Sequence, residues 1–439
     1  MENCKLPSDL MINILARLSV RSLMRLKCVC KFFYNLIKND HQFIQKHYEF
    51  SRIRTCGTLL TFNSADLKSL LFYLVDQDLE SNETRCIYLD TPNSRFSYIK
   101  CCDGMLCLIV GKLCLIVGKG DINNITSLDM TVDVFILNPF TMEIKALPSI
   151  KVPNKPPNKP PIEADLRMAF GFGLSNNMAG KVIMILRFEH VKWDCDDCYE
   201  IVMVCSQVDN SWNWRQIDVV TQGSKYSLFS SGMTHDFYLK GKYYWEGARE
   251  LVWFDMDNEV FGKVKLPSGL NSNFVAVVNE TIVAVSSPHP NCDDELDGNY
   301  IDIWLTDENN NVFNCHKQAR TPDDICWMPI GIWNPSGHLL LFSSYMDSRY
   351  DELVVNDDDM PFFNDGFKMD LFSIDMVTQE KKIICTSQEK KSAINIVLNP
   401  SGYVQVCKDV IKAQDWNGSN IFWHYGAYAR VFNESLKML

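Results

Sequence analysis

VDVFILNPFTMEIKALP, residues 132–148, recurs in layout as LVWFDMDNEVFGKVKLP, residues 251–267. In both stretches an apolar run leads through a polar turn into a second β-type run that ends in Leu-Pro. Residues 201–217 and 369–384 repeat this strand–turn–strand pattern without the final Leu-Pro. The equivalent turn positions lie 48 to 69 residues apart and are Asn138, Gln207, Asp255, Asp307 and Asp375.

Imperfect repeats of about 50 residues, each with a few antiparallel strands, are typical of a β-propeller. After residue 48 the chain consists of short β-type runs separated by turn residues, without a substantial helical segment. We therefore predict that residues 49–439 form one large all-β domain, a kelch-like β-propeller of six or seven blades. An irregular β-sandwich is the alternative, because any β protein repeats the strand–turn–strand unit.

Two shorter repeats predict hairpins. The sequence NPSG occurs at residues 334–337 and again at 399–402, and its proline and glycine favour a tight turn between two strands. The sequence LCLIVGK occurs at 106–112 and again, without a break, at 113–119. With Gly111-Lys112 as a two-residue turn, the two copies are predicted to pair as an apolar hairpin.

Residues 1–48 have apolar side chains at helical spacing and are predicted to form a separate, small all-α module. Ser8 is predicted to cap a first helix that carries Leu10 and Ile14 on one face. Ser19 and Asp40 are predicted to begin later helices. A module of this size buries little core, so we expect part of its apolar surface to belong to a partner.

The charge of the chain is unevenly distributed. The first 50 residues carry a net charge of +4, whereas the remainder carries −15. An acidic body argues against nucleic acid as a partner and suits a basic protein target, although solubility alone explains such a charge in many proteins. No stretch is predicted to span a membrane, because the longest apolar run, residues 105–117, is short and contains Lys112.

The N-terminal sequence lacks the pattern of a secretion signal, and the seventeen cysteines are odd in number and scattered. We therefore expect reduced thiols and a cytoplasmic location, with the nucleus as the alternative. Gly171 and Gly173 are interpreted as a turn at the end of a strand. Cys195 and Cys198 form a C-x-x-C pair near His190, but without a second pair at zinc-site spacing we expect no metal.

No phosphate loop, dinucleotide fingerprint or hydrolase motif is present in the sequence, so we expect neither a cofactor nor catalysis. Two acidic clusters in turn-rich stretches are interpreted as solvated loops. Their functional alternative is electrostatic steering of a basic target. These possible target-facing residues are Asp293, Asp294, Glu295, Asp297, Asp357, Asp358 and Asp359.

The opening LPSDLMINILARLSVRSLMRLKCVCKFFYNLIKN resembles the F-box, which docks receptors onto the Skp-type adaptor of cullin ubiquitin ligases. The resemblance implies a set of adaptor-binding residues. These are Leu6, Pro7, Leu10, Ile14, Leu15, Leu18, Leu23, Cys28, Val29, Cys30 and Phe33. Phe33 stands where the motif often has Trp, which keeps the aromatic bulk but loses the indole N–H donor.

The remainder resembles the F-box-associated domain of plant receptors through CCDGMLCL, AFGFGL, KGKYYW and the two Leu-Pro repeats. The whole chain is most similar to the S-locus F-box family. This resemblance implies the pollen side of self-incompatibility, in which non-self S-ribonucleases are ubiquitinated and degraded.

The favoured hypothesis is a non-catalytic receptor that reaches cullin and RING subunits through the Skp-type adaptor. A receptor for a different plant target, a propeller hydrolase that uses clustered carboxylates and a non-proteolytic scaffold are the alternatives.

Overall fold

A computed structural model describes residues 7–53 and, between residues 57 and 432, the strands given below with some of the turns that join them. Side chains are described for residues 7–51 and for most strand residues between 98 and 316. The described chain begins with four helices and continues with antiparallel β-sheets, in agreement with the predicted order of a small α module and a large β domain.

The helices are α1 (Ser8–Leu15), α2 (Val20–Lys27), α3 (Lys31–Asn39) and α4 (His41–Ile53). Two of the predicted caps are confirmed, because Ser19 accepts the N–H of Ser22 and Asp40 accepts the N–H of Phe43 at 3.0 Å. The cap predicted at Ser8 is wrong. Pro7 occupies that position with φ −52°, and its carbonyl accepts the first helical N–H, that of Met11.

The helical unit has an apolar core of its own, contributed by all four helices. The fully buried members are Leu15, Ala16, Val20, Leu23, Leu36, Ile37 and Phe43. Partly buried side chains, Phe33 and Phe50 among them, pack around this set. The unit therefore uses only part of its apolar surface to hold itself together.

The β domain begins with β1 (Gly57–Asn63), β2 (Ser69–Asp76) and β3 (Arg85–Asp90). Five sheets follow in chain order, and we number them blades 1 to 5. Blade 1 contains β4 (Ser94–Cys102), β5 (Met105–Val117), β6 (Ile125–Asn138), β7 (Glu143–Ala146) and β8 (Ile150–Val152). Blade 2 contains β9 (Ala164–Leu174), β10 (Gly180–His190), β11 (Tyr199–Val208) and β12 (Ser211–Ile217). Blade 3 contains β13 (Asp236–Leu239), β14 (Lys242–Glu246), β15 (Glu250–Asp255) and β16 (Phe261–Lys265).

Blade 4 contains β17 (Asn273–Val278), β18 (Thr281–Ser286), β19 (Tyr300–Thr306) and β20 (Phe313–Arg320). Blade 5 contains β21 (Trp327–Trp333), β22 (His338–Tyr345), β23 (Lys368–Asp375) and β24 (Lys381–Thr386). The last strands are β25 (Ala393–Leu398), β26 (Val404–Cys407) and β27 (Tyr428–Phe432). They join β1, β2 and β3 in a sixth sheet with the order β26-β25-β3-β2-β1-β27, which we call blade 6.

The first strand of each blade contacts the first strand of the next, from β4 through β9, β13 and β17 to β21. β21 then contacts β27, which is the edge strand of blade 6. The described sheets therefore form a β-propeller of six blades in which the last blade combines strands from both ends of the domain. The alternative of an irregular β-sandwich is wrong, because successive sheets meet through their first strands.

The predicted repeat is confirmed by the position of its turns. Asn138, Asp255 and Asp375 end the third strand of their blades, and Gln207 and Asp307 lie within one residue of such an end. The NPSG hairpins are also confirmed by their flanking strands, since Trp333 pairs with His338 and β25 pairs antiparallel with β26. Each of these repeat turns therefore lies between the third and the fourth strand of its blade.

Two local interpretations are wrong. The first LCLIVGK copy and residues 113–117 of the second lie in the single strand β5, which pairs with β6 through to Val117, so Gly111-Lys112 is not a turn. The long neighbouring strand β6 forms a long antiparallel ladder with β5. If the two copies paired with each other as a hairpin, this ladder would be lost. Gly171 and Gly173 lie inside β9, where a Cβ on Gly171 would stand 2.8 Å from the rings of Trp245 and Tyr243. The glycine is required by the close approach of blades 2 and 3.

Blades 2 and 3 are joined by a charged cluster at the turn between β15 and β16. Glu259, which has φ 55°, accepts a hydrogen bond from Lys181 at 2.6 Å and another from Arg215. Asp257 in the same turn accepts the N–H of Asn176 at 2.8 Å. Burial by itself would raise the pKa of Glu259, but the hydrogen bonds from Arg215 and Lys181 outweigh it and hold the pKa below its usual value.

A second ion pair crosses from blade 1 to blade 3. Lys100 on β4 donates to Asp236 at the start of β13, and both side chains are buried. These two first strands flank β9, so the pair connects blades that are not consecutive in the chain. Loss of one partner of a buried ion pair typically costs about 3–5 kcal/mol, because the other charge stays buried without its counter-charge.

Replacement of Glu259 by Gln is expected to lower the free energy of unfolding at neutral pH by about 1–2 kcal/mol, because two charge-assisted hydrogen bonds are weakened. A carboxylate whose folded pKa is depressed stabilises the protein above its unfolded pKa of about 4.3 and loses this contribution as the pH falls through the folded value. The difference between wild type and E259Q, measured by denaturant unfolding, should therefore shrink between about pH 6 and about pH 3.

Glu143→Gln on β7 is the matched control, since no described cation pairs with Glu143. A pH-independent difference between wild type and E259Q would contradict the role given to the cluster.

Candidate docking surface

One face of α1 exposes apolar side chains. Leu10 and Ile14 are four residues apart, so they lie one above the other on the helix, and they are 47% and 46% exposed. Pro7, at the start of the same helix, is also exposed. An apolar pair that the helical unit leaves in solvent is typical of a surface that a partner covers.

A second exposed apolar region lies where α2 passes into α3. Cys28, Val29 and Cys30 are all exposed, Val29 by 67%. Cys30 precedes α3 in an extended conformation, with φ −159°, and this turns the chain between the two helices. Phe32 on the first turn of α3 is 51% exposed.

Three of the predicted docking residues lie in or against the core. Leu15 and Leu23 are buried in the helical unit, Leu23 completely. Phe33 is partly buried and packs against the same core. These three side chains pack inside the helical unit beneath its exposed surface. The exposed residues Leu10, Ile14 and Val29 are accessible to a partner protein. Leu18 is half-buried, and Leu6 lies outside the described residues.

Sequence reasoning missed Phe32 and Tyr34, whose exposed fractions are 51% and 41%. Their exposure follows from their position around the axis of α3. Leu36 and Ile37 are buried, so α3 turns Phe33 toward the core and its neighbours Phe32 and Tyr34 to the two flanks. The rings of Phe32 and Phe33 meet edge to face with centroids 5.5 Å apart, which fixes the exposed ring against the half-buried one.

The second half of α4 contacts the turn that joins α1 and α2. The Nε2 atom of the buried His47 lies 3.1 Å from the carbonyl oxygen of Leu18. The guanidinium of Arg17 lies over the ring of Phe50, 4.6 Å from its centroid. α4 continues to Ile53, beyond the boundary at residue 48 that we predict for the module. The residues after 48 therefore contribute to the structure that presents Leu10 and Ile14.

The described part of the β domain shows no arrangement suited to nucleophilic catalysis. Burial raises the pKa of the Cys107 thiol well above its usual range and that of Cys205 to about 12, so both thiols stay protonated. His316 and Asp302 form an exposed pair 2.8 Å apart, with Trp304 stacked on the imidazole. No described hydroxyl or thiol is hydrogen-bonded to His316, so the pair lacks a nucleophile to activate.

The acidic loops around Asp293 and Asp357 lie outside the described residues, as does the C-x-x-C pair at Cys195 and Cys198. Among the residues that the structure does describe, no three His, Cys, Asp or Glu side chains converge as metal ligands. No helix in the described part of the chain is long and apolar enough to cross a bilayer.

Comparison with protein families places an F-box domain at residues 4–45. Among plant proteins, an F-box/kelch-repeat protein of Arabidopsis thaliana, At3g17530, is 26% identical over 325 residues, which cover 69% of this chain and 71% of that protein. A second Arabidopsis thaliana F-box/kelch-repeat protein, At4g33290, is 24% identical over 61% of this chain and 57% of its own length. An Arabidopsis thaliana F-box protein, At3g47150, is 30% identical, but the match spans only 34% of this chain and 38% of that protein.

Solved structures with related architecture include the WD40 domain of SCAP from fission yeast, with a TM-score of 0.31 and 9% identity over 75% of this chain and 86% of that one. The β-propeller domain of the Trilobed protease from Pyrococcus furiosus has a TM-score of 0.30 and 10% identity over 71% of this chain and 95% of that one. The six-bladed arrangement is taken from the strand pairing of the chain itself.

Because Leu23 is buried in the helical unit and Leu10 is exposed on its surface, replacing them by alanine is expected to change the stability of the unit by very different amounts. Leu23→Ala should destabilise the helical unit by about 2–5 kcal/mol, because it leaves a cavity in a small core. Leu10→Ala should change the stability by less than about 0.5 kcal/mol, because nearly half of that side chain is already in solvent. Hydrogen exchange of the amides of α1–α3 in the full chain measures both effects, and equal loss of protection in the two variants would contradict this difference in burial.

Proposed function

We propose that this chain, which carries an F-box ahead of a β-propeller and has plant F-box/kelch-repeat homologues, is the substrate-receiving subunit of an SCF-type ubiquitin ligase. The observation that carries the proposal is the exposed Leu10–Ile14 face of α1 within the matched F-box segment, residues 4–45. A Skp-type adaptor would cover this face and link the chain to cullin and RING subunits. The proposed setting is the cytoplasm or the nucleus.

In this function the chain contributes binding and position, and the conjugating enzyme supplies the chemistry. The helical unit holds the adaptor while the β-propeller holds a target protein, so that the lysines of the target stay close to the conjugating enzyme. Such tethering raises the effective concentration of the reacting groups without an active-site residue in the receptor. Burial raises the pKa values of the Cys107 and Cys205 thiols, so both stay protonated and are poor nucleophiles.

The double substitution Leu10→Asp with Ile14→Asp is expected to abolish adaptor binding, because two carboxylates would have to be buried in an apolar interface. Co-expression with a Skp-type adaptor followed by size-exclusion chromatography measures the effect. Wild type should co-elute with the adaptor as a stoichiometric complex, and L10D/I14D should elute alone at the volume of a folded monomer.

Val208→Asp with Val260→Asp is a matched control, because these exposed apolar side chains lie on the propeller and are 56% and 46% exposed. This control should co-elute like wild type. Retention of the adaptor by L10D/I14D would place the docking surface elsewhere, and failure of the folded wild type to co-elute would reject the proposed function.

The narrower proposal, from the resemblance to S-locus F-box proteins, is that the target is a basic secreted ribonuclease. It is supported by the net charge of −15 on the chain beyond residue 50, which attracts a basic partner. Target-facing roles for the two acidic loops, residues 293–297 and 357–359, belong to this narrower proposal.

In a reconstituted ubiquitination reaction, a basic S-ribonuclease should be modified only when the wild-type chain is present, and L10D/I14D should give no modification because the target is no longer tethered. Modification of another added protein but of no S-ribonuclease would reject the narrower proposal and leave the ligase assignment intact. Measuring ribonuclease binding at increasing salt separates long-range electrostatic attraction from short-range contact. Attraction between exposed charges falls steeply above about 0.1 M ionic strength, whereas short-range contact does not.

A further inference from the structure

The flank of α3 opposite Phe32 carries a cluster of lysines around one tyrosine. The ammonium groups of Lys27 and Lys38 lie 5.5 Å and 5.7 Å from the centroid of the Tyr34 ring. Lys31 and Tyr34 are three residues apart and Tyr34 and Lys38 four, so these side chains follow one another along the same flank of α3. We call Lys27, Lys31, Tyr34 and Lys38 the Tyr34 ridge.

The ridge lies in a stretch of one charge sign. Residues 10–39 contain six Lys or Arg and no Asp or Glu. None of the three ridge lysines forms an ion pair with a described carboxylate. Ridge residues Lys31 and Tyr34 are exposed, Tyr34 by 41%. The fold therefore concentrates positive charge around an aromatic ring in solvent, at the cost of mutual repulsion between the lysines.

The distribution of charge along this chain bears on which kind of partner the ridge could bind. A polyanion such as RNA would be attracted to the ridge, but it would also be repelled by the propeller, since the chain beyond residue 50 carries −15. Lys27 and Lys31 directly flank the exposed segment of residues 28–30, so a protein that covers this segment lies within reach of the ridge. An aromatic ring between two cations suits a patch in which carboxylates surround an apolar side chain, because Tyr34 offers apolar area and the lysines offer charge.

We propose that the Tyr34 ridge is a second contact for the adaptor, which meets it with an acidic patch and is steered by it onto the apolar face of α1. This inference rests on the proposed function. Steering by charges at the rim of an interface acts mainly on the association rate, whereas a buried apolar contact acts mainly on dissociation. The apolar and charged contacts therefore have separable kinetic effects: Leu10, Ile14 and the Tyr34 ring retain the adaptor, and the ridge lysines accelerate its arrival.

The test measures association and dissociation rates of the full chain with a Skp-type adaptor by stopped-flow fluorescence at two ionic strengths. Lys27→Glu with Lys38→Glu should lower the association rate about tenfold at about 50 mM salt and by less than about twofold at about 500 mM salt. The dissociation rate should change much less than the association rate. Because both lysines are at least partly exposed, the variant is expected to fold, and circular dichroism checks this.

The matched control is Lys151→Glu with Lys265→Glu, which makes the same change of net charge at exposed sites on the propeller. It should retain most of the wild-type association rate at both salt concentrations. Tyr34→Phe should behave as wild type, whereas Tyr34→Ala should raise the dissociation rate about threefold to tenfold, because only the ring contributes contact area.

Equal association rates for K27E/K38E and K151E/K265E would overturn the ridge as a contact while leaving the proposed function in place. No adaptor binding by the folded wild type would overturn both. Wild-type binding to a single-stranded RNA homopolymer that K27E/K38E abolishes, with unchanged adaptor rates, would overturn the assignment in favour of nucleic acid.

Discussion

The antiparallel pairing of β1 with β27 joins the two ends of the β domain in one sheet, from Gly57 opposite Phe432 to Thr61 opposite Tyr428. β27 is also the strand of blade 6 that contacts β21. Closure by hydrogen bonds between distant parts of the chain is entropically costly to form, since nearly the whole domain lies between the two strands. Once it is formed, blade 6 combines strands from both ends of the domain, and β1 follows shortly after α4 in the chain.

The contacts between blades show how such a ring is held in register. Apolar packing supplies most of the contact, as where Trp245 and Tyr243 cover the bare backbone of Gly171. Apolar packing is non-directional, and the polar contacts add specific positions. Glu259 ties the turn after β15 to Lys181 and Arg215 of blade 2, and the buried Lys100–Asp236 pair connects blade 1 with blade 3. Each of these contacts joins residues that are distant in the sequence.

The helical unit buries some of its apolar residues and leaves others exposed. Leu23 and its neighbours build a core, His47 and Phe50 of α4 hold the corner between α1 and α2, and Leu10 and Ile14 remain in solvent. The lysines around Tyr34 add positive charge to the surface of α2 and α3. A rigid small core with an apolar face and a charged flank is suited to a partner that binds both specifically and fast.

The sequence by itself determined the order of a small α module and a large β domain, the caps at Ser19 and Asp40, and the repeat turns at the ends of third strands, because all of these depend on local spacing and turn chemistry. It also identified the F-box segment, and it gave Leu10, Ile14 and Val29 as candidates for adaptor binding without separating them from Leu15 and Leu23. The tertiary structure decided that Leu15 and Leu23 belong to the core, that Phe32 and Tyr34 are exposed, and that residues 106–117 of the LCLIVGK repeat lie in one strand. Apolar residues look alike in sequence whether a neighbouring element or solvent faces them. Only the position of that neighbour separates a core residue from a contact residue, or a hairpin from a strand whose partner lies elsewhere in the chain.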